Sequence, residues 1–267
     1  MALVPPVKFQ NGKLEIVKFD IHPKYRKLLL GCGLLSFKDF FFCKGVAVMR
    51  EVPGRLTVSV KCEDDFIYLK RHWKEHSSSS RSGPHYEALT EWENTQALDK
   101  DRISVPIPLA YGLGRIGTHA VSFYLSQAVA GIQSDYFLRD ANLTTLENKK
   151  FWEQLGSFAK NFHAHGYNHR DFYLCHIFVD QRDSDYVFSL IDLQRVQKRS
   201  KFRRRWLIKD IGQLFFSLAP STSRIDKLRL FKAYRGVKTL SRSDKKMLTD
   251  IDNRVEAMER KVGKYFI

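Results

Sequence analysis

The 267-residue chain is short of several things, and each shortage excludes a class of protein. It has only 4 cysteines, Cys32, Cys43, Cys62 and Cys175; none forms a C-x-x-C pair or completes a zinc spacing with histidine. This excludes a disulfide-rich scaffold and a structural zinc module, and free thiols in a reducing compartment are expected. The 8 prolines and 15 glycines follow no triplet period, which excludes collagen-like or low-complexity architecture. No apolar run approaches the ~18 residues of a membrane span. The opening Met1-Ala2-Leu3-Val4-Pro5-Pro6 lacks a charged region followed by an apolar core, so no secretory signal is expected. Acidic residues are outnumbered, 29 Asp+Glu against 45 Lys+Arg, which leaves a formal charge of +16. Such an excess implies an anionic partner: nucleic acid, an acidic lipid surface, or a phosphorylated or carboxylated substrate. With 43% hydrophobic and 13% aromatic residues the chain is not disordered. Its length suits one large domain or two small ones without a metal or disulfide staple.

The hydrophobic pattern changes along the chain. Val46, Val48, Leu56, Val58 and Val60 alternate around Pro53-Gly54, which predicts a hairpin. Phe66–Lys70 reads as a third strand, and the polar His76–Pro84 as a mobile segment. Residues 86–99 read as a helix with Tyr86, Leu89 and Trp92 on one face, and Ala120–Ala128 as a strand. From Thr144 to Gly166 the spacing of Phe151, Leu155, Phe158 and Phe162 predicts a helix, with Gly166 at its C′ position. Two short strands flank the acidic turn Asp180–Asp185, and helices starting near Ser221–Ser223 and Ser241 fill the remainder. Phe40-Phe41-Phe42 reads as a buried strand or an insertion into a membrane interface. The order, strands, one helix, strands, then mostly helices, predicts an α+β chain with a β-rich lobe followed by a helical one.

The chemistry concentrates in Asn168-His169-Arg170-Asp171-Phe172-Tyr173-Leu174-Cys175-His176, placed after a helix and before a hairpin. Ile191-Asp192-Leu193 follows at the end of that hairpin. Protein kinases set H-R-D-x-x-x-x-N and D-F-G in this context. Phosphoryl transfer needs an in-line hydroxyl, a carboxylate to accept its proton, and divalent cations across the phosphates. Asp171, with His169 and Arg170 in its motif, is the expected base, and Asp192 the expected Mg²⁺ ligand. His176 stands where a kinase has Asn as second metal ligand; it either ligates metal or orients Asp171 or a phosphate. Upstream, Lys70 at a strand end and Glu91 on the next helix read as the ATP-binding Lys–Glu pair, with a solvated strand-end lysine beside Arg71 as the alternative. No glycine-rich loop is present; the backbone around Gly54 and the Arg55 guanidinium are expected to cover phosphates instead. Gln127 ends the segment Phe123–Gln127 that reads as a hinge. Asp210, in an otherwise apolar helix, must be paired if buried and reads as structural support.

These residues carry a resemblance. N-H-R-D-F-Y-L-C-H, I-D-L-Q-R and R-R-W-x-x-K-D resemble N-H-R-D-C-Y-I-C-H, I-D-L-H-R and R-R-W-x-x-K-D of the WaaP/InaA-type lipopolysaccharide core heptose kinases. R-E-x-x-G-R-x-T at Arg50–Thr57, Leu69-Lys70 and Glu91-Trp92 also match. The resemblance covers Arg50 to Ser217; Gln194 stands where the family has His, and Phe123–Gln127 lacks its T-E-[DE]-L pattern. It implies a protein-kinase-like two-lobed fold and transfer of the ATP γ-phosphate to a heptose hydroxyl of the lipopolysaccharide inner core. ATP and Mg are the implied cofactors. A cytoplasmic enzyme, peripheral on the inner face of the inner membrane, is implied.

The basic stretch Arg195–Lys209 directly follows Asp192. It reads as a solvated face or as the place that attracts an anionic acceptor or acidic headgroups; Arg195, Arg199, Arg203 and Arg204 are the expected substrate contacts. No nucleic acid is expected, because Phe202 and Trp206 read as core or anchoring positions, not as a stacking platform. The expected organisation is an extension over residues 1–45 packing on the N-lobe, an N-lobe over 46–127 and a C-lobe over 128–267. Competing readings are a kinase for a protein side chain or small metabolite, and a non-catalytic pseudokinase that binds acidic membrane or nucleic acid.

Overall fold

The strand residues alternate between two buried faces, and that alternation decides which side chains meet. The structure, a computed structural model, describes residues 12–63, 65–75, 85–183, 185–201 and 204–263. The segment expected to be mobile, 76–84, lies outside the described residues, as do Phe202 and Arg203. Residues 1–97 and 106–128 belong to one compact unit, residues 98–105 and 129–267 to a second.

The first unit contains β1 (Leu14–Ile21), α1 (Arg26–Gly31), α2 (Phe37–Phe41), β2 (Ala47–Val52), β3 (Arg55–Cys62), β4 (Asp65–Glu75), most of α3 (Glu87–Lys100), β5 (Pro108–Ile116) and β6 (His119–Gln127). The strands form one antiparallel sheet in the order β1-β5-β6-β4-β3-β2. On one face Val58, Ile67, Leu69, Phe123 and Leu125 pack with Leu29, Phe37, Phe40 and Phe41. On the other, Tyr111, Leu113 and Tyr124 pack with Ala88 and Trp92 of α3. Phe123, Tyr124 and Leu125 thus go to alternate faces, as the strand period of two requires. Pro53-Gly54 makes the β2–β3 turn; Gly54 has φ +80°, a conformation glycine adopts without Cβ strain.

Three expectations are corrected here. Phe40-Phe41-Phe42 forms neither a strand nor an interfacial insertion: Phe40 and Phe41 end α2 and are buried. Ser36 and Asp39 cap each other's backbone N–H groups at its start, so a helix begins where the aromatic run alone reads as β. The thiols are not all reduced: Cys32 at the end of α1 and Cys62 at the end of β3 form a disulfide, whereas Cys43 and Cys175 are not disulfide-bonded. Their Cα atoms are 5.6 Å apart, inside the range a disulfide spans, and only the packing of α1 against the sheet brings them there. Lys70 does not end its strand, because β4 stays paired with β6 as far as Glu75↔His119. Its neighbour Arg71 is buried, not solvated; Nη1 donates to the Phe41 carbonyl at 2.9 Å, and burial holds the guanidinium below its ordinary pKa.

The second unit begins with β7 (Ile132–Gln133), α4 (Ser134–Asp140) and α5 (Thr145–Ala164). β8 (Tyr167–Asn168), β9 (Ile177–Arg182), β10 (Asp185–Leu190) and β11 (Gln197–Lys198) follow, then α6 (Arg204–Phe216), α7 (Arg224–Arg235) and α8 (Arg242–Val262). β10, β9 and β7 form one small sheet, β11 and β8 another. Thr144 and Glu147 make a capping box at the start of α5, and Gly166, at φ +83°, follows its C-cap His165. Phe151, Leu155 and Phe162 are buried as the apolar stripe requires, with Phe158 half-buried against Phe188. Gly156 lets α5 approach α7 closely, since a Cβ there would stand 2.3 Å from the Leu230 carbonyl oxygen. Ser223 and Ser241 cap α7 and α8.

Phe123 is the centre of the first unit's aromatic core: its ring lies 4.8 Å from Phe40, 5.2 Å from Phe37 and 6.0 Å from Phe19. Phe123→Ala is expected to lower unfolding free energy by about 3–5 kcal/mol in urea titration, whereas a loss below ~1 kcal/mol would show that these rings do not hold the sheet to α2.

Candidate active site

Three polar side chains, two on α6 and one just past its end, organise the segment that carries the H-R-D motif. Asp210, Gln213 and Ser217 follow one another at spacings of three and four, the spacing that aligns side chains on a helix. Asp210, fully buried, accepts the backbone N–H of His169 at 2.7 Å and of Arg170 at 3.1 Å. Gln213 accepts from Phe172 N–H at 3.1 Å and donates to the Arg170 carbonyl at 2.8 Å. Ser217 accepts from Leu174 N–H at 2.9 Å. The arrangement holds Arg170 in the left-handed region, at φ +73°. Asp210 stands where the sequence reading puts a supporting residue; Gln213 and Ser217 escaped it, although the D-x-x-Q-x-x-x-S spacing is legible on an apolar helix. His163 reads in the sequence as a residue near the end of its helix that favours the dipole or hydrogen-bonds locally; the structure instead turns it toward α6 and α7. Buried on the α5 stripe, it lies with Nε2 3.3 Å from Asp210 and Nδ1 3.0 Å from the Tyr234 hydroxyl. A histidine in an apolar stripe was the available signal.

Asp171 and Asp192 are joined through His176. The His176 Nδ1 meets the Asp171 carbonyl oxygen at 2.8 Å, and its Nε2 lies 3.7 Å from Asp192 Oδ2. Burial pushes the His176 pKa down, but its hydrogen bond to Cys175 and the charges of Cys175 and Asp192 outweigh that and raise it to about 9. His169 is fully buried, and burial, aided by the charge of His176, lowers its pKa to about 4. Neutral, it donates from Nε2 to the Ile191 carbonyl at 3.0 Å, tying the motif to the residue before Asp192. Asp192 itself has φ +60° and ψ +53° and is buried.

In the first unit the Lys70 ammonium meets Glu91 Oε1 at 2.5 Å, with Glu91 almost fully buried. The cause is register. Leu69 pairs with Leu125 in the core that contains Phe123, so Lys70 and its partner Tyr124 face α3. Thr95 fixes the local network, donating to the Glu91 carbonyl at 2.7 Å and sharing a 3.0 Å hydrogen bond with Tyr124. Burial, then the Glu91 charge, raises the Tyr124 pKa. Gly54 and Arg55 form the end of the β2–β3 hairpin, where the Gly54 carbonyl accepts from Trp73 N–H at 2.9 Å. Gln127 closes β6, its N–H donating to the Ile107 carbonyl at 3.0 Å.

The basic stretch is less free than its sequence implies. Arg195 Nη1 contacts both oxygens of Asp171, at 2.8 and 2.7 Å. Arg199 bonds Asn168 at 2.6 Å and lies over the Trp206 ring, and Arg204 pairs with Asp250 of α8 at 2.7 Å. Lys198 pairs with Asp101 at 2.7 Å.

The profile of the lipopolysaccharide kinase (Kdo/WaaP) family matches residues 46–234. The chain belongs to this family. It is thus a phosphotransferase with an alcohol group as acceptor, and kinase membership implies use of ATP. The lipopolysaccharide core heptose(I) kinase WaaP of Pseudomonas aeruginosa is 27% identical over 82% of this chain and 88% of its own length. The enzyme of the same name from Escherichia coli K12 is 36% identical over 89 residues, 32% of this chain and 34% of its own length. A solved structure described as WaaP in complex with acyl carrier protein aligns at TM-score 0.67 and 25% identity, covering 92% of this chain and 98% of its own. The expected kinase-like fold, with its β-rich first part and mainly helical second part, is the fold shared with this relative.

Asp210→Ala leaves two backbone N–H groups without their acceptor and is expected to cost about 2–5 kcal/mol. Gln213→Ala is expected to cost about 1–3 kcal/mol, and the double variant less than the sum, since both act on one loop. Urea unfolding of the three variants checks this; full additivity would show that the residues act independently.

Proposed function

We propose that this member of the lipopolysaccharide kinase family transfers the ATP γ-phosphate to a heptose hydroxyl of the lipopolysaccharide inner core, with Asp171 as the base. The carrying observation is that Asp171 and buried Asp192 are held as a pair by His176 on a loop bound along α6. Asp171 would accept the proton of the attacking hydroxyl at its carboxylate, which first requires Arg195 to yield one of the two oxygens it contacts. Lys70, oriented by Glu91, would hold nucleotide phosphate, with the Gly54 backbone and Arg55 of the hairpin turn as further phosphate contacts.

The donor set fits Mg²⁺ in one respect. Asp192 offers a hard carboxylate oxygen, and Mg²⁺ is commonly held by one or two carboxylates together with substrate phosphates and water. Among the described residues no group of three His, Cys, Asp or Glu stands ready to hold a metal by itself. When bound, the ion would neutralise charge on the phosphates. His176 acts here as an orienting residue: its Nδ1 is committed to the Asp171 carbonyl, and Mg²⁺ prefers oxygen to imidazole nitrogen.

No helix among the described residues is long and apolar enough to cross a membrane. Work at the cytoplasmic surface of the inner membrane, through peripheral contact, suits the lipid-anchored acceptor and the net charge of +16. Similarity over most of the chain to the acyl carrier protein complex extends the proposal to such a partner. Co-purification of acyl carrier protein with the tagged full chain is the expected result; a stable, active chain free of it would remove this part.

The main test is transfer of labelled γ-phosphate to purified deep-core lipopolysaccharide, with a protein substrate alongside. Label on the glycolipid is expected, falling by about 10²–10⁴-fold in Asp171→Asn while ATP binding is retained. Label on protein alone would overturn the acceptor, and retained transfer by Asp171→Asn would overturn the base.

A further inference from the structure

Cations from four separate parts of the second unit come together where the motif loop meets α6. Arg170 is placed by its own backbone, whose N–H is held by Asp210 and whose carbonyl is held by Gln213. Lys209 precedes Asp210 on α6 and is partly buried. Arg254 comes from α8, its stem lying against α6 one turn beyond Lys209: a Cβ on Gly212 would stand 2.8 Å from the Arg254 Cγ. Arg195 completes the group from the segment after Asp192, reaching Asp171 at 2.7 Å. The groups sense one another. Burial first, then the charges of Arg170 and Arg195, with Arg254 adding and Asp210 opposing, hold the Lys209 pKa below its ordinary value.

Arg170 and Lys209 are half-buried and Arg195 and Arg254 exposed, and like charges brought together with two of them half-buried are unfavourable without a counter-ion. The anions nearby are already engaged. Asp210 accepts two backbone N–H groups and faces His163, and Asp171 is held by Arg195. Arg170, Lys209 and Arg254 have no ion-pair partner among the described residues. This separates them from Lys198, Arg199 and Arg204 of the same basic stretch, which are tied to Asp101, Asn168 and Asp250.

We propose that Arg170, Arg195, Lys209 and Arg254 form an oxyanion-binding subsite beside Asp171 that receives a phosphate or carboxylate group of the acceptor. The inference rests on the reading of Asp171 as the base. Arg195 contacts Asp171 and Arg170 precedes it in the chain, and Lys209 and Arg254 join them from α6, which holds this loop, and from α8 packed on α6, whereas Asp192 is reached from Asp171 through His176, so the subsite is assigned to the acceptor and not the nucleotide. It also couples binding to chemistry. Arg195 serves both anions, so an arriving oxyanion competes with Asp171 for the guanidinium and frees a carboxylate oxygen for the hydroxyl proton.

The test uses the full chain and the double variant Lys209→Met/Arg254→Met. Thermal melts are run with inorganic phosphate titrated in the presence of a saturating non-hydrolysable ATP analogue. Phosphate is expected to raise the wild-type melting temperature and not that of the double variant; equal rises in both would overturn the subsite. In the transfer assay the KM for deep-core lipopolysaccharide is expected to rise by about tenfold or more in the variant, with the KM for ATP within about twofold. A change confined to the KM for ATP would assign the cations to the nucleotide and overturn the proposal. Acceptor stripped of phosphate, and acceptor with its carboxylates amidated, distinguish the two oxyanions: the modification that raises the wild-type KM without further effect in the variant names the group, and no effect of either overturns the proposal. Lys209→Arg/Arg254→Lys, which keeps the charges, is expected to restore acceptor KM; failure to do so would indicate a packing role. If wild type transfers no phosphate to lipopolysaccharide, the proposed function falls, and the phosphate melts still decide the subsite.

Discussion

A carboxyl group buried in α6 governs the second unit. Asp210 is removed from solvent and must satisfy its oxygens from the protein. It does so with the N–H groups of His169 and Arg170, which forces the loop before Asp171 to follow the helix. Gln213 and Ser217 continue the same contact along the next two turns. The loop has no regular ladder of its own here, so these side chains take the place of backbone partners. Arg170 keeps its left-handed conformation because bonds on both sides of the residue hold it.

From that anchor the chemistry spreads in two directions. His176 and His169 carry the restraint to the end of β10, one through the Asp171 carbonyl and Asp192, the other through the Ile191 carbonyl. The two histidines lie near each other yet are driven oppositely: burial with a positive neighbour lowers one, and anionic neighbours raise the other. In the other direction Arg195 closes on Asp171. The basic stretch therefore divides into residues that brace the fold and residues that remain available for an anion.

The first unit answers a different constraint. The inner strands of its sheet are buried on both faces, so strand register decides which polar residue can meet α3. Lys70 meets Glu91 because Leu69 on one side and Arg71 on the other turn to the opposite face. The N-terminal segment, which precedes the stretch matched by the family profile, supplies β1, α1 and α2 and covers the face containing Phe123.

The linear sequence was enough to mark β2, β3, β4, β6, β9 and β10, the helix from Thr144, the caps at Ser223 and Ser241, and the candidate acids and lysine, because each rests on local spacing or on residue chemistry; β1 and β5, whose pairing is long-range, were not read from it. The α2 helix was misread because three consecutive phenylalanines obscure a cap that depends on Ser36 and Asp39 acting together. The Cys32–Cys62 bridge was hidden because cysteines 30 residues apart become partners only when a helix packs on a sheet. The roles of Gln213, Ser217 and His163 likewise depend on contacts with a loop distant in sequence. Charge showed most clearly what folding adds. A run of arginines announces an anionic partner, but only tertiary contacts decide which of them are neutralised inside the protein and which still need a counter-ion from outside.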